Sequence, residues 1–284
     1  MPCKKDFVHF LRYLKIINKK NLLVTLSLNS AQKEILHNLT NNNLIKILKA
    51  RQLGSSTFIA AYYFWKTLFK INERTVVIAH QHESVKSVYK IYKTFYDNLP
   101  SFLKNTFKTV QSSANSIEFV TGSSIKIGSA NSEAFRGSSA ICNLHLSEVA
   151  FWDNMNETIA SIFQASSENP TIILETTANG LNDFYNFWTD DNGYEPIFLS
   201  WYSDENNRIK TLSDKHKKLL SSKNDIVTLL LENMIDDEQR NWAIETYFVK
   251  CAGDLAKFKQ EYAPTAVDCF ITSGDRFFNQ SFIV

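Results

Sequence analysis

"LKARQLGSST", residues 48–57, reads almost like a phosphate-binding loop. It follows the apolar run "NLIKIL" (43–48) and leads into "FIAAYYFWKTLF" (58–69), which reads as a buried or strongly amphipathic helix. Strand, glycine-bearing turn and helix together form the setting of a phosphate-binding loop. There the helix N-terminus offers unpaired N–H groups and a partial positive charge to an anion. The usual pattern is a small residue, four others, then Gly-Lys followed by Ser or Thr. Ala50, Arg51, Gln52, Leu53 and Gly54 follow it with three residues rather than four before the glycine, and Ser55 stands on the lysine position. Ser56 then falls where a hydroxyl would reach Mg²⁺, with Thr57 next to it. By itself the loop is a weak match.

The pattern on either side extends this reading. "TVVIA" (75–79), "AICNLHL" (140–146), "TIILE" (171–175) and "PIFLS" (196–200) are short apolar strands. "SIEFVTGSSIKIG" (116–128) alternates on both sides of Gly122, as a hairpin does. Helical spacing predicts helices from about 30, with Ser30 as the N-cap, over 55–69, and over about 83–98. Strands interleaved with helices argue for an α/β fold with a mostly parallel sheet covered on both faces. Residues 1–28 form a basic lead-in, 29–202 the core, and 203–284 a charged, helix-forming extension.

A net charge of +2 sets up no global basic field, so any contact with nucleic acid has to be a local patch. Four cysteines without a CxxC spacing fit reduced thiols rather than a disulfide frame. The N-terminal stretch breaks its apolar residues with charges, unlike a signal peptide, and no apolar run is long enough to span a bilayer. A soluble intracellular chain without a membrane partner is the expectation.

Nucleotide hydrolysis on such a sheet needs a phosphate cradle, a metal holder, a group that polarises water and a cation for transition-state charge. Beyond the loop, "AICNLHLSEVAFW" places Ser147 and Glu148 at a strand's C-terminal end, where open sheets gather their ligands. Glu148 can orient the attacking water there; it also suits a plain turn cap. "TIILETTANG" ends its strand in Thr176, Thr177 and Asn179, which can sense a terminal phosphate or simply leave the sheet. "EAFRGSSA" sets Arg136 beside Gly137 on a loop entering the Glu148 strand, as a phosphate-reaching or a solvated arginine.

Taken in order, "Q…KARQLGSST", the strand closed by "SEVAFW", "TTANG" and the trailing "FKQEYAPTAVDCFITSGDRFF" resemble the large subunit of tailed-phage terminases. The resemblance covers roughly residues 28–280 and implies a RecA-like P-loop ATPase domain. It assigns Gln32 to adenine recognition and Arg51, Gln52, Gly54, Ser55, Ser56 and Thr57 to the nucleotide phosphates. Ser147 and Glu148 match the acidic pair at the Walker B strand end, with Ser56 and Ser147 on the Mg²⁺ side. Thr176, Thr177 and Asn179 match the coupling motif, and Arg136 an arginine offered across a subunit boundary. ATP and Mg²⁺ are the implied cofactors. Double-stranded DNA, the portal protein, the small terminase subunit and further copies in a ring are the implied partners. The implied setting is the cytoplasm of a bacterial host, with a phage or prophage gene.

Two departures stand out. The loop lysine is missing, and Arg51, three residues before Gly54, supplies a permanent fork-shaped charge instead. Ser147 replaces the aspartate that would hold Mg²⁺, keeping a hydrogen bond and losing a charge. A slow or partner-dependent ATPase is therefore expected; the alternative is a non-catalytic nucleotide- or DNA-binding remnant in a decayed prophage. A helicase-type translocase needs a second RecA-like half, which 284 residues cannot hold. The chain ends where the resemblance would begin a nuclease domain. Acidic residues after Trp201 are scattered along helical segments, so no metal-dependent nuclease activity is expected.

Overall fold

The computed structural model describes residues 2–130, 140–220, 226–227, 230 and 236–270. Arg136 and the trailing "ITSGDRFF" (271–278) lie outside the described residues. The chain divides into two compact units. The first comprises residues up to Ile47, Gly54–Thr176 and Asp191–Ile197; the second comprises Leu48–Leu53, Thr177–Asp190 and the residues from Phe198 onward.

Ten strands are formed among the described residues. Strands β1 (Lys15–Ile17) and β2 (Leu23–Thr25) pair antiparallel in a small hairpin, so the lead-in carries more structure than its composition suggests. The rest form one sheet in the order β10-β3-β9-β8-β4-β7-β6-β5. Its members are β3 (Leu44–Lys49), β4 (Arg74–Ala79), β5 (Thr109–Ser112), β6 (Ser116–Phe119), β7 (Ser124–Ser129), β8 (Ile141–Ser147), β9 (Ser166–Thr176) and β10 (Glu195–Leu199). The pairs β8–β9, β4–β8 and β4–β7 are parallel, and the hairpin strands β6–β7 and β5–β6 are antiparallel. The mostly parallel α/β sheet is thus present, with an antiparallel margin. Strand β9 starts five residues before the apolar run that marks it in the sequence, at Ser166.

The first unit opens with two short helices, α1 (Pro2–Lys5) and α2 (Phe7–Phe10). Helix α3 (Ser30–Leu39) is capped by Asn29, which corrects the expectation of Ser30. Asn29 accepts from the Gln32 backbone N–H while the Gln32 side chain accepts from the Asn29 N–H, a reciprocal capping box. Helix α4 (Ser55–Phe69) starts directly after Gly54 and buries Phe58, Ile59, Ala60, Tyr63, Phe64 and Leu68. The Tyr63 hydroxyl sits between the carbonyls of Leu144 on β8 (3.1 Å) and Thr171 on β9 (2.9 Å), sharing its one proton between them. Lys66, one turn further on, donates to Thr171 Oγ1 at 2.6 Å, and burial pushes its ammonium down to about 8. Helix α5 (His82–Asp97) buries Val85, Val88, Tyr92 and Phe95, so that Phe64 meets Phe95 at 5.7 Å. Shorter helices α6 (Ser101–Thr106) and α7 (Met155–Gln164) complete this unit.

The second unit holds α8 (Asp183–Thr189), α9 (Asp214–Leu220) and the helices Asp237–Val249, Leu255–Glu261 and Ala266–Phe270. Asp236 and Asp254 cap the two helices that follow them, each accepting a backbone N–H of the first turn. Its core is aromatic: Trp201 and Trp242 stack at 5.3 Å and 12°, and Tyr262 meets Trp242 edge-on at 5.7 Å. The Lys250 ammonium lies over both Trp242 and Tyr262. Among the described residues, no helix is long and apolar enough to cross a membrane.

Candidate functional site

In the first unit the site is built around the start of α4. Gly54 adopts φ +78°, a left-handed conformation that L side chains rarely take, and the helix it opens has no side-chain cap. The glycine is required for a second reason. A Cβ there would lie 2.8 Å from Gln32 Nε2, the atom that donates to the Gly54 carbonyl at 2.9 Å. Gln32 is therefore buried with both ends of its amide engaged, Oε1 in the α3 cap and Nε2 on the loop. Gln32, which the resemblance assigns to adenine, braces the loop's last turn in this structure.

The first two residues of α4 converge on a carboxylate that the sequence reading passed over. Ser55 Oγ donates to Glu175 Oε2 at 2.9 Å, and Ser56 Oγ donates to Glu175 Oε1. From β8, His145 Nε2 contacts Glu175 Oε1 at 3.1 Å and Ser147 Oγ donates to the same oxygen at 3.3 Å. Because the acceptor is a carboxylate, the His145 proton belongs on Nε2; its buried Nδ1 has no hydrogen-bond partner among the described residues. Glu175 is fully buried, and these donors offset the cost of removing its charge from water. Strand register explains the convergence: Ser147 and Glu175 are Cα partners across the parallel β8–β9 pair. Thr57, on the same first turn of α4, is half-buried.

Glu148, the residue after β8, leaves the sheet in a left-handed conformation (φ 57°, ψ 43°). Its N–H donates to the Glu175 carbonyl at 2.7 Å, which ties the strand tip to β9 as the chain turns into a short 3₁₀ segment, Val149–Phe151. Thr176 Oγ1 accepts from the Ala150 N–H at 3.2 Å, so Thr176 supports the Glu148 turn. Trp152 closes the turn by donating from its indole to the Ser147 carbonyl at 3.2 Å. Half-buried Glu148 thus stands on a strained, well-braced tip.

The second unit carries the remaining predicted residues. Gln52 has φ 63°, another left-handed residue in the loop. Arg51 Nε forms an ion pair with Glu261, and its N–H donates to the Glu261 carbonyl at 2.9 Å. Gln260, beside Glu261, donates to the Ala178 carbonyl at 3.2 Å, next to buried Thr177 and half-buried Asn179. The trailing Gln-Glu-Tyr segment therefore touches both Arg51 and Ala178. No group of three or more His, Cys, Asp or Glu placed to hold a metal occurs among the described residues.

A family model described as terminase large subunit, T4likevirus-type, N-terminal, matches residues 46–240. The fold is similar to the large terminase of bacteriophage HK97, with TM-score 0.61 and 16% identity over 98% of this chain and 57% of that one. It is also similar to the ATPase domain of the large terminase of Thermus phage P74-26. A point mutant of that domain matches with TM-score 0.54 and 12% identity, and the unmutated domain with 0.51 and 11%; each match covers 82% of this chain and 92% of that one. The chain spans 50% and 57% of the length of two longer large-terminase chains that it matches.

Proposed function

Because this chain belongs to the N-terminal family of T4likevirus-type terminase large subunits, we propose that it is the ATPase motor domain of a phage packaging machine. It hydrolyses ATP and couples that to driving double-stranded DNA into procapsids. The observation that carries the reading is the meeting of loop and strand tip on one residue. Ser55 and Ser56 bind the Glu175 side chain, and the Glu148 N–H binds the Glu175 carbonyl at 2.7 Å. A phosphate-binding helix start and a water-polarising acid are thereby fixed to the same strand end.

The residues divide the work as follows. The Gly54 turn and the first N–H groups of α4 cradle phosphate, with Gln52, Ser55, Ser56 and Thr57 around them. Arg51 supplies the cation, since a guanidinium can bind phosphate with two parallel hydrogen bonds. Glu148 aligns and polarises the attacking water. Thr176, Thr177 and Asn179 couple the nucleotide state to movement. Hydroxyls at Ser56 and Ser147 and a carboxylate at Glu175 are hard oxygen donors that suit Mg²⁺, which when bound with ATP would neutralise charge on the phosphates. Arg136 acts on the nucleotide of a neighbouring subunit, in a ring that engages portal and small terminase subunit in the host cytoplasm.

Phosphate release, measured with and without double-stranded DNA and beside a Glu148→Ala control, tests the reading. DNA-stimulated release that vanishes in the control is expected. Nucleotide binding with no release under any condition would identify a non-catalytic remnant, and no adenine-nucleotide binding at all would defeat the ATPase reading.

A further inference from the structure

We propose that Glu175 is the metal-side acid of this chain: the charge absent from position 147 is supplied one strand over, by the carboxylate that binds the Ser56 hydroxyl. The inference rests on the ATPase reading and deepens it.

In a phosphate-loop ATPase the loop Ser or Thr and an acid on a neighbouring strand together hold Mg²⁺. The strand tip expected to carry that acid ends in Ser147, a neutral hydroxyl. The Cα partner of Ser147 on β9 is Glu175, and the two side chains meet at 3.3 Å. A carboxylate on either register partner therefore occupies the same neighbourhood at the C-terminal ends of these two strands. The loop confirms where it points, because the Ser56 hydroxyl donates to Glu175 Oε1. A serine oxygen that gives its proton to a carboxylate keeps its lone pairs for a cation and becomes a better donor to it.

The cost of this arrangement argues for a purpose. A fully buried carboxylate is expensive, and here Ser55, Ser56, Ser147 and His145 all turn toward it. A scaffold needing only cohesion at this point could use an apolar pair at no such cost. His145 also fixes the carboxylate's orientation from β8, at 3.1 Å, so the acid is aimed as well as buried.

The test measures binding rather than turnover. Affinity for ADP and ATP is determined by calorimetry in Mg²⁺ and in EDTA, for wild type, E175Q and the double variant E175Q/S147D. The wild type should bind more tightly in Mg²⁺. In E175Q that enhancement, taken as the ratio of affinity in Mg²⁺ to affinity in EDTA, should fall by about tenfold or more, as loss of a group behind a metal ligand does. Restoring a carboxylate on the register partner in E175Q/S147D should bring the enhancement back. An enhancement unchanged in E175Q, or a loss of equal size in EDTA, would overturn the assignment and leave Glu175 as a structural anchor. Should E175Q not fold, the swap E175S/S147D carries the test: a folded swap without any Mg²⁺ enhancement overturns the proposal. A wild type that binds nucleotide in neither condition would remove the ATPase reading itself, an outcome distinct from the others.

Discussion

Arg51 and Glu261 are joined twice, once through their backbones at 2.9 Å and once through an ion pair between their side chains. Among the described residues the ion pair uses Nε of the guanidinium, which leaves the donors of the two terminal nitrogens for another anion. Replacing Arg51 with Ala should weaken nucleotide binding by roughly 10–100-fold, the worth of one charge-assisted hydrogen bond of about 1.5–3 kcal/mol. Lys49→Ala should cost far less. Glu261→Ala should lower nucleotide affinity by freeing the fork to wander, yet change unfolding free energy by no more than about 1 kcal/mol, because the arginine is half exposed. Titration calorimetry and urea unfolding separate these effects; equal losses for Arg51→Ala and Lys49→Ala would reject the assignment.

Gly54→Ala should destabilise the fold by about 1–2 kcal/mol from the left-handed backbone alone. The added methyl also displaces Gln32 Nε2, which lies 2.8 Å from its position. The same substitution should weaken nucleotide binding, since the turn that opens α4 has to move. Urea denaturation of Gly54→Ala beside Gln32→Ala checks the link. The double variant should cost less than the sum of the singles, because both act through one contact.

Lys66 gives stability a definite pH dependence. Burial lowers its folded value to about 8 from 10.5. Between those values the unfolded chain holds the proton and the folded chain has released it, so stability contributed by this group rises with pH. Below about pH 8 both states are charged, and the folded state bears the full penalty of burying the ammonium. Wild type should therefore gain on Lys66→Met as pH is raised from 7.5 toward 10, read as the difference between their urea midpoints. A constant difference would show that the ammonium remains solvated in the folded chain.

Mixtures of Arg136→Ala and Glu148→Ala subunits test cooperation between copies. Where the arginine serves a neighbour, some mixed interfaces combine an intact Glu148 with an intact Arg136, and part of the activity returns. A trans arginine is worth about 10³–10⁵ in rate, so the recovery should stand well clear of either single variant. A co-assembled mixture that stays inactive would make Arg136 a local residue.

Much of this was legible in the sequence because it is local. The apolar run into Gly54 and the aromatic helix after it specify β3, the turn and α4 without reference to anything distant. The cap of α3 was within reach too: Asn29 lies three residues before Gln32, the capping-box spacing, whereas Ser30 does not. Glu175 was not legible. A glutamate that ends an apolar run looks like the point where a strand meets water, and only the β8–β9 register places it opposite Ser147 and beneath Ser56. The bracing role of Gln32 is hidden in the sequence for a similar reason, since its second partner, the Gly54 carbonyl, comes from another element. The match between Arg51 and Glu261 depends on the return of the helix Leu255–Glu261, which no periodicity encodes.

The Trp201–Trp242 stack has an optical consequence. Two indoles stacked 5.3 Å apart couple their electronic transitions, and wherever the rings are rotated about their common normal the coupling shows as a far-ultraviolet dichroic band pair of opposite signs. Both rings belong to the second unit, and Trp201 is fully buried there. The protein therefore carries its own chromophore for one half of its structure, and the couplet would vanish in Trp242→Phe while the helical signal persists. Following that band during denaturation would reveal whether the aromatic cluster loosens before the sheet, without attaching any label.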